Sequence, residues 1–169
     1  MRRHFQMFAD YNRWANIIVY DACNELSDAE YRADRGAFFG SAHRTLNHLL
    51  CADRIWLKRV TGSGEAPTAL DTILHEDFQA LREARIAEDR RIIDWIDTLD
   101  DDKLANSFTY SPISNPEPIT QPLGPVLTHV FNHQTHHRGQ VHMILTSLGR
   151  PSLSLDFIYY LRGDGKRWL

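Results

Sequence analysis

The chain has 169 residues, 43% of them apolar, and a formal net charge of −3, which fits one folded domain with a core of useful size and gives no basic surface to track a phosphate backbone, so nucleic acid is not an expected partner. No apolar run approaches the ~20 residues that cross a bilayer, and the opening MRRHFQMFADYNRWAN has two arginines with no continuous apolar segment after them, so neither membrane association nor a signal peptide is expected. Cys23 and Cys51 are too few for a disulfide framework, which leads to the expectation of a reduced, cytoplasmic protein.

Residues 4–24 carry Phe5, Phe8, Tyr11, Asn12, Ala15, Ile18, Val19 and Ala22 at spacings of three and four, one stripe of a first long helix. NELSDAEY interrupts it, and Ser27 followed by Glu30 has the form of a capping box for a short helix. The second long pattern, residues 40–62, aligns Leu46, Leu49, Leu50, Asp53, Leu57 and Val60, with Ser41 as its expected cap and Gly62 as its stop. SGEAPTAL reads as a loop. A third helix is expected over residues 71–99, capped by Asp71, with Ile73, Leu74, Phe78, Leu81, Ile92, Trp95, Ile96 and Leu99 as apolar positions and charges between them.

NSFTYSPISNPEPITQP holds three prolines before Gln121 and cannot be helical throughout. SFTY and PIT are expected to pair as a small hairpin or to cross the bundle end as irregular chain. Pro122 or Pro125 suits the first turn of a fourth long helix, which runs to about Leu148 and is stopped by Gly149-Arg150-Pro151. The apolar tail SLSLDFIYYLRG is expected to pack across the bundle as a short helix or turn. There is no internal repeat and no low-complexity segment. Four long patterns predict an all-α, up-down antiparallel four-helix bundle spanning residues 1–169, with a short irregular or hairpin insertion before the last helix. Ligand sites in such a bundle lie between facing helices.

HVFNHQTHHRGQ, residues 129–140, holds four of the nine histidines. A helix advances ~100° and ~1.5 Å per residue, so His133 and His137 share one face and can share one ion, as can His129 and His133. His129 and His137 are ~12 Å apart along the axis and cannot both bind one small cation, and His142 points to the opposite side. The remaining ligands must come from another helix, where His43, His48 and His75 are the candidates and His4 is less well placed. His48 sits beside leucines in TLNHLLCAD and is expected to be partly buried. Three neutral imidazoles with open positions match a catalytic divalent site, zinc by type, with nickel or iron as alternatives. Cys51, three residues after His48, reads as core filler. The ordinary alternative is that the histidines form only a polar helix face.

Competing chemistries fail on the letters. The zinc-protease pattern H-E-x-x-H reads His133-Gln134-Thr135-His136-His137, and glutamine cannot take a proton from water. No histidine follows a glutamate at the di-iron spacing, and no G-x-S-x-G, Walker loop or G-x-G-x-x-G is present. No acidic residue is marked as a general base: Asp53 lies ~140° round the helix from His48, and Asp10 belongs to the first helix.

YNRWAN at residues 11–16, LNHLL at 46–50 and HxxxHRGQ within HVFNHQTHHRGQ together resemble the DinB/YfiT-like family, in order and spacing, across nearly the whole chain. The resemblance implies a four-helix bundle with a divalent metal, zinc or nickel, held by one histidine of the second long helix and two of the last, here His48, His133 and His137. It further implies an enzyme, a thiol-dependent S-transferase or isomerase using a low-molecular-weight thiol and a small-molecule substrate, and a homodimer. The alternatives are a metal-dependent hydrolase and a metal-binding protein without catalysis. His129 is expected to pack beside the ligands and His136 to be structural. Gly139 is expected to allow close helix packing. Arg138 and Gln140 are expected to orient groups near the site or cap a partner's surface, and Asn12 and Trp14 to pack the first helix.

Overall fold

Each of the four long stripes forms a helix in the computed structural model, which describes residues 1–113, 115 and 117–169. In chain order the elements are α1 (Arg2–Asn24), α2 (Asp28–Arg32), α3 (Ala42–Thr61), α4 (Phe78–Ile96), α5 (Asp101–Ala105), β1 (Ser107–Tyr110), β2 (Ile119–Pro122), α6 (Leu123–Ser147), α7 (Phe157–Arg162) and a closing 3-10 turn, Lys166–Trp168. Local chemistry sets the boundaries. Ser27 and Glu30 form the reciprocal capping box of α2. Ser41 Oγ accepts from Arg44 N at 3.2 Å to open α3, a bond whose loss costs about 1 kcal/mol in typical caps. Gly62 ends α3 at φ +70°, a conformation that glycine adopts without penalty. SFTY and ITQP pair as the antiparallel hairpin, with Ser107 opposite Pro122 and Tyr110 opposite Ile119.

The third helix starts later than its apolar pattern predicts. It begins at Phe78, and the cap is Asp77, whose carboxylate accepts from Ala80 N at 2.8 Å, not Asp71. The physical reason lies in α3. Asn47 Oδ1 accepts from Leu74 N and His75 N at 2.8 and 3.0 Å, and Asn47 Nδ2 donates to His75 O at 3.1 Å. Backbone groups that helix formation would require are bonded to a neighbouring helix instead.

The expected bundle of four long helices is present, with the order α1–α4–α3–α6 around it. Residue pairs along the contacts give the directions. Gln6 meets Asp97, and Asn16 meets Asp89, so α1 and α4 are antiparallel. Arg54 meets Glu88, and Ser63 meets Arg91, so α3 and α4 are parallel. His48 meets His137, and Trp56 meets His129, so α3 and α6 are antiparallel. The long helices therefore run up, down, down and up. Parallel neighbours need a crossover, and residues 62–77 supply it by running back along α3 as irregular chain bonded to that helix.

Two of the apolar clusters among the described residues fill the bundle, and a third, around Tyr11, Ala15 and Tyr160, joins the tail to α1. Of the first two, one contains Val19, Leu46, Leu50, Leu81, Ile144 and Leu145, and the other Phe5, Leu57, Ile92, Ile96, Leu127 and Phe131. Burial of each such side chain contributes about 1.5–3 kcal/mol. A polar layer separates them. Arg85, Arg138, Asp53 and Asp89 are only 1%, 2%, 2% and 3% exposed. Arg85 meets Asp53 at 2.6 Å and Asp89 at 2.9 Å. Burial opposes the Arg85 charge, but the two carboxylates outweigh it and raise its pKa. Asn12 and Asn16, one turn apart on α1, connect the layer: their amide nitrogens donate to Asp89 and their amide oxygens accept from Arg138. The asparagines of YNRWAN and the arginine of HRGQ are thus one buried network, which locks α6 to α1 and α4.

The tail packs across α1 as expected. Tyr160 Oη and Trp168 Nε1 donate to Asp10, Arg167 pairs with it at 2.6 Å, and Tyr11 Oη donates to Leu155 O at 2.7 Å. Among the described residues no helix is long and apolar enough to cross a membrane.

Candidate metal centre

The antiparallel contact of α3 with α6 sets His48 against the pair one turn apart on α6. His48, His133 and His137 each offer one ring nitrogen, and these three atoms lie within 4.8 Å of one another. His48 Nε2 and His133 Nε2 are 3.1 Å apart. Ring centroids are 4.5 Å apart for His48–His137 and 4.4 Å for His133–His137.

Neighbouring groups fix two of the tautomers. His48 Nδ1 lies 2.8 Å from Leu70 O, a carbonyl that can only accept, so Nδ1 carries the hydrogen and Nε2 presents a lone pair. Gln140 Nε2 lies 3.2 Å from His136 Nε2, which turns Gln140 Oε1 toward His137 Nδ1 at 2.8 Å. His137 therefore also keeps a lone pair on Nε2. Burial lowers the pKa of all three rings, to about 3 for His133, where the adjacent imidazoles add to the effect, and to about 4 for His137. Neutral imidazoles with converging lone pairs are the form that zinc or nickel accepts. Among the described residues no carboxylate or thiol joins the group, so an ion there would keep positions open. Cys51 is buried, its thiol donates to Ala69 O at 3.1 Å, and burial pushes its pKa up to about 11, in keeping with a core role.

Aromatic side chains flank the three rings. Phe39 stacks on His48 at 3.9 Å and reaches His137 at 5.5 Å. It comes from a tight turn between Gly36 and Gly40, both at positive φ, whose tip, Phe38, is 81% exposed. On the other side His129 packs against His133 at 5.8 Å and Trp56 at 5.4 Å, and Trp56 packs against Tyr110 of the hairpin at 5.0 Å. Phe39, Trp56 and Tyr110 carry no motif. A signal was nonetheless present: Trp56 follows His48 by two helical turns, and Phe38-Phe39 sits between glycines.

The remaining candidates lie elsewhere. His43 Nε2 faces His75 O at 3.3 Å, His4 packs on Phe8, and His142 Nε2 faces Ser152 Oγ at 3.0 Å on the far side of α6. Asp53 belongs to the buried layer and Asp10 to the tail clasp. Gln140 holds His137, as an orienting residue should, whereas Arg138 is buried among the core amides. Gly139 corrects an expectation: a Cβ there would meet nothing within 4 Å, so close helix packing does not explain it. It opens instead onto a cavity of about 490 Å³ walled by Phe5, Phe8, Phe131 and Phe157. That cavity lies on the face of α6 opposite the three histidines, and it contributes nothing to their chemistry.

The DinB family model matches residues 1–167. Protein DinB of Bacillus subtilis (strain 168) is 26% identical over 161 residues, covering 90% of each chain. The fold is similar to that of YfiT from Bacillus subtilis, described as a probable metal-dependent hydrolase with an unusual four-helix bundle topology. The TM-score is 0.64 at 14% identity, with 85% of this chain and 87% of that one covered. The chain belongs to the DinB family.

Proposed function

We propose that the protein is a divalent-metal-dependent enzyme whose ion, zinc or nickel, is held by His48, His133 and His137, and that it activates the sulfur of a low-molecular-weight thiol for transfer to, or isomerisation of, a small molecule. One observation carries this reading: the lone pairs of His48 and His137, fixed by Leu70 O and Gln140 Oε1, point into the space that His133 Nε2 also faces. When bound, a divalent cation supplies Lewis acidity, which turns a thiol into a thiolate at neutral pH. A free thiol, with pKa ~8.5, needs a far smaller shift than water at ~15.7. The difference matters because, among the described residues, no carboxylate joins the cluster to take a proton. His129 is the titratable neighbour placed to accept it. Its ring is 5.8 Å from that of His133, and burial lowers its pKa, keeping it neutral. Phe39, stacked on His48, shields one side of the site from water.

The likeness to YfiT favours a second reading, hydrolysis, in which the same cation acidifies water. One experiment separates the two. Purified protein is analysed for metal, loaded with cobalt(II), and titrated with small thiols. A sulfur-to-cobalt charge-transfer band and thiol-dependent turnover of electrophiles support the first reading. Ester or amide turnover without thiol supports the second, and absence of stoichiometric metal defeats both.

A further inference from the structure

Arg59 lies eleven residues beyond His48, which brings it back to nearly the same face of α3, three turns further along. Its guanidinium rests against two rings that also touch each other, centre to centre 5.0 Å, with Cζ 4.6 Å from the centre of Trp56 and 4.9 Å from that of Tyr110. Nη2 donates to Ser111 O at 3.1 Å. Among the described residues no carboxylate pairs with it, whereas Arg54 and Arg91 on the α3–α4 side each face one and Arg85 faces two. Arg59 is thus a half-buried cation with unused donors and, among the described residues, no counter-ion, and burial lowers its pKa.

We propose that Arg59, seated against Trp56 and Tyr110, binds the carboxylate end of the thiol whose sulfur is activated at the three histidines. The inference rests on the thiol reading given above. A guanidinium seated against two aromatic rings is held in place with donors left over, and its planar fork matches a carboxylate bidentately. A second donor stands beside it. Tyr110 Oη accepts from Gln121 Nε2 at 3.0 Å, so its own hydrogen is free to donate. A continuous row joins the two ends: His133 to His129 at 5.8 Å, His129 to Trp56 at 5.4 Å, and Trp56 to Arg59 at 4.6 Å. The span, on the order of 10–15 Å, is what three or four extended residues cover. The ligand class is therefore a peptide-sized thiol with a terminal carboxylate, and the hairpin serves to bring Tyr110 against α3.

The test uses S-methylglutathione, whose blocked sulfur cannot become a thiolate, and its diethyl ester, which lacks the carboxylates. Each is titrated calorimetrically into metal-free and zinc-loaded protein. Wild type is expected to bind the acid at least about tenfold more tightly than the diester with or without zinc. Arg59→Gln is expected to abolish that preference while leaving the diester affinity and the zinc stoichiometry unchanged, and Arg59→Lys to keep part of it. Should Arg59→Gln fail to fold, Tyr110→Phe is expected to weaken the acid several-fold and not the diester. Equal binding of the two probes by wild type, no binding of either, or a preference that survives Arg59→Gln overturns the proposal. A preference seen in a protein that takes up no zinc would leave this subsite standing and remove the metal reading. Zinc uptake without the preference would do the reverse.

Discussion

His48 Nε2 lies 3.1 Å from His133 Nε2, while the hydrogen of His48 is committed to Leu70 O on the other side of its ring. Without an ion, only His133 can donate across that gap. In the proposed metal-bound form both nitrogens would serve as ligands. The crossover segment thus does two jobs: it returns the chain along α3 and it sets the tautomer of the histidine beneath it.

Alanine at position 48, 133 or 137 is expected to reduce metal content from one per chain to near zero. His43→Ala and His136→Ala are expected to leave it unchanged. Elemental analysis of the purified variants measures this directly.

Gln140→Leu removes the acceptor that orients His137 and keeps the shape of the side chain. Loss of such an outer partner typically lowers metal affinity 10–100-fold. Competition against a chelator should show a decrease in that range with an unchanged melting profile.

Acidity should act on the metal-free fold with a defined sign. The rings of His133 and His137 have folded pKa values near 3 and 4, against about 6.5 when unfolded. Between those limits the unfolded chain binds more protons, so stability rises with pH there. It is complete above about 6.5 and is lost as pH falls toward 4 and 3. Thermal melts of metal-free protein should show this decline, and His133→Leu should flatten it.

The polar layer should be costly to break singly. Arg138→Ala leaves the oxygens of Asn12 and Asn16 unpaired and exposes Asp89 to less positive charge in a dry site. Removing one partner of a buried charged network costs about 3–5 kcal/mol. Urea unfolding should show a loss of that size, and Asn16→Ala combined with Arg138→Ala should cost less than the sum of the two changes.

Much of this was legible in the letters. Spacing set His133 and His137 on one face, and caps at Ser27, Ser41 and Gly62 marked helix ends, because both are local effects. The start of α4 was not legible. Ile73 and Leu74 continue a helical apolar pattern, but Asn47, distant in sequence, takes their region's backbone bonds. The direction of α4 was hidden for the same reason, since it depends on where residues 62–77 lie. Arg85 and Asp89 read in the letters only as charges between apolar positions, and it is the contact of Arg85 with Asp53 and of Asp89 with Asn16 that shows them as core. Gly139 misled because a glycine in a helix suggests crowding, whereas here it borders an open cavity.

X-ray absorption at the zinc edge, on protein loaded with one equivalent, tests the central claim most directly. The account predicts three imidazole nitrogens at about 2.0–2.1 Å, with lighter non-imidazole scatterers completing the site and no sulfur at about 2.3 Å. Fewer than three imidazoles, a sulfur ligand from Cys51, or a spectrum unchanged in His48→Ala would contradict it.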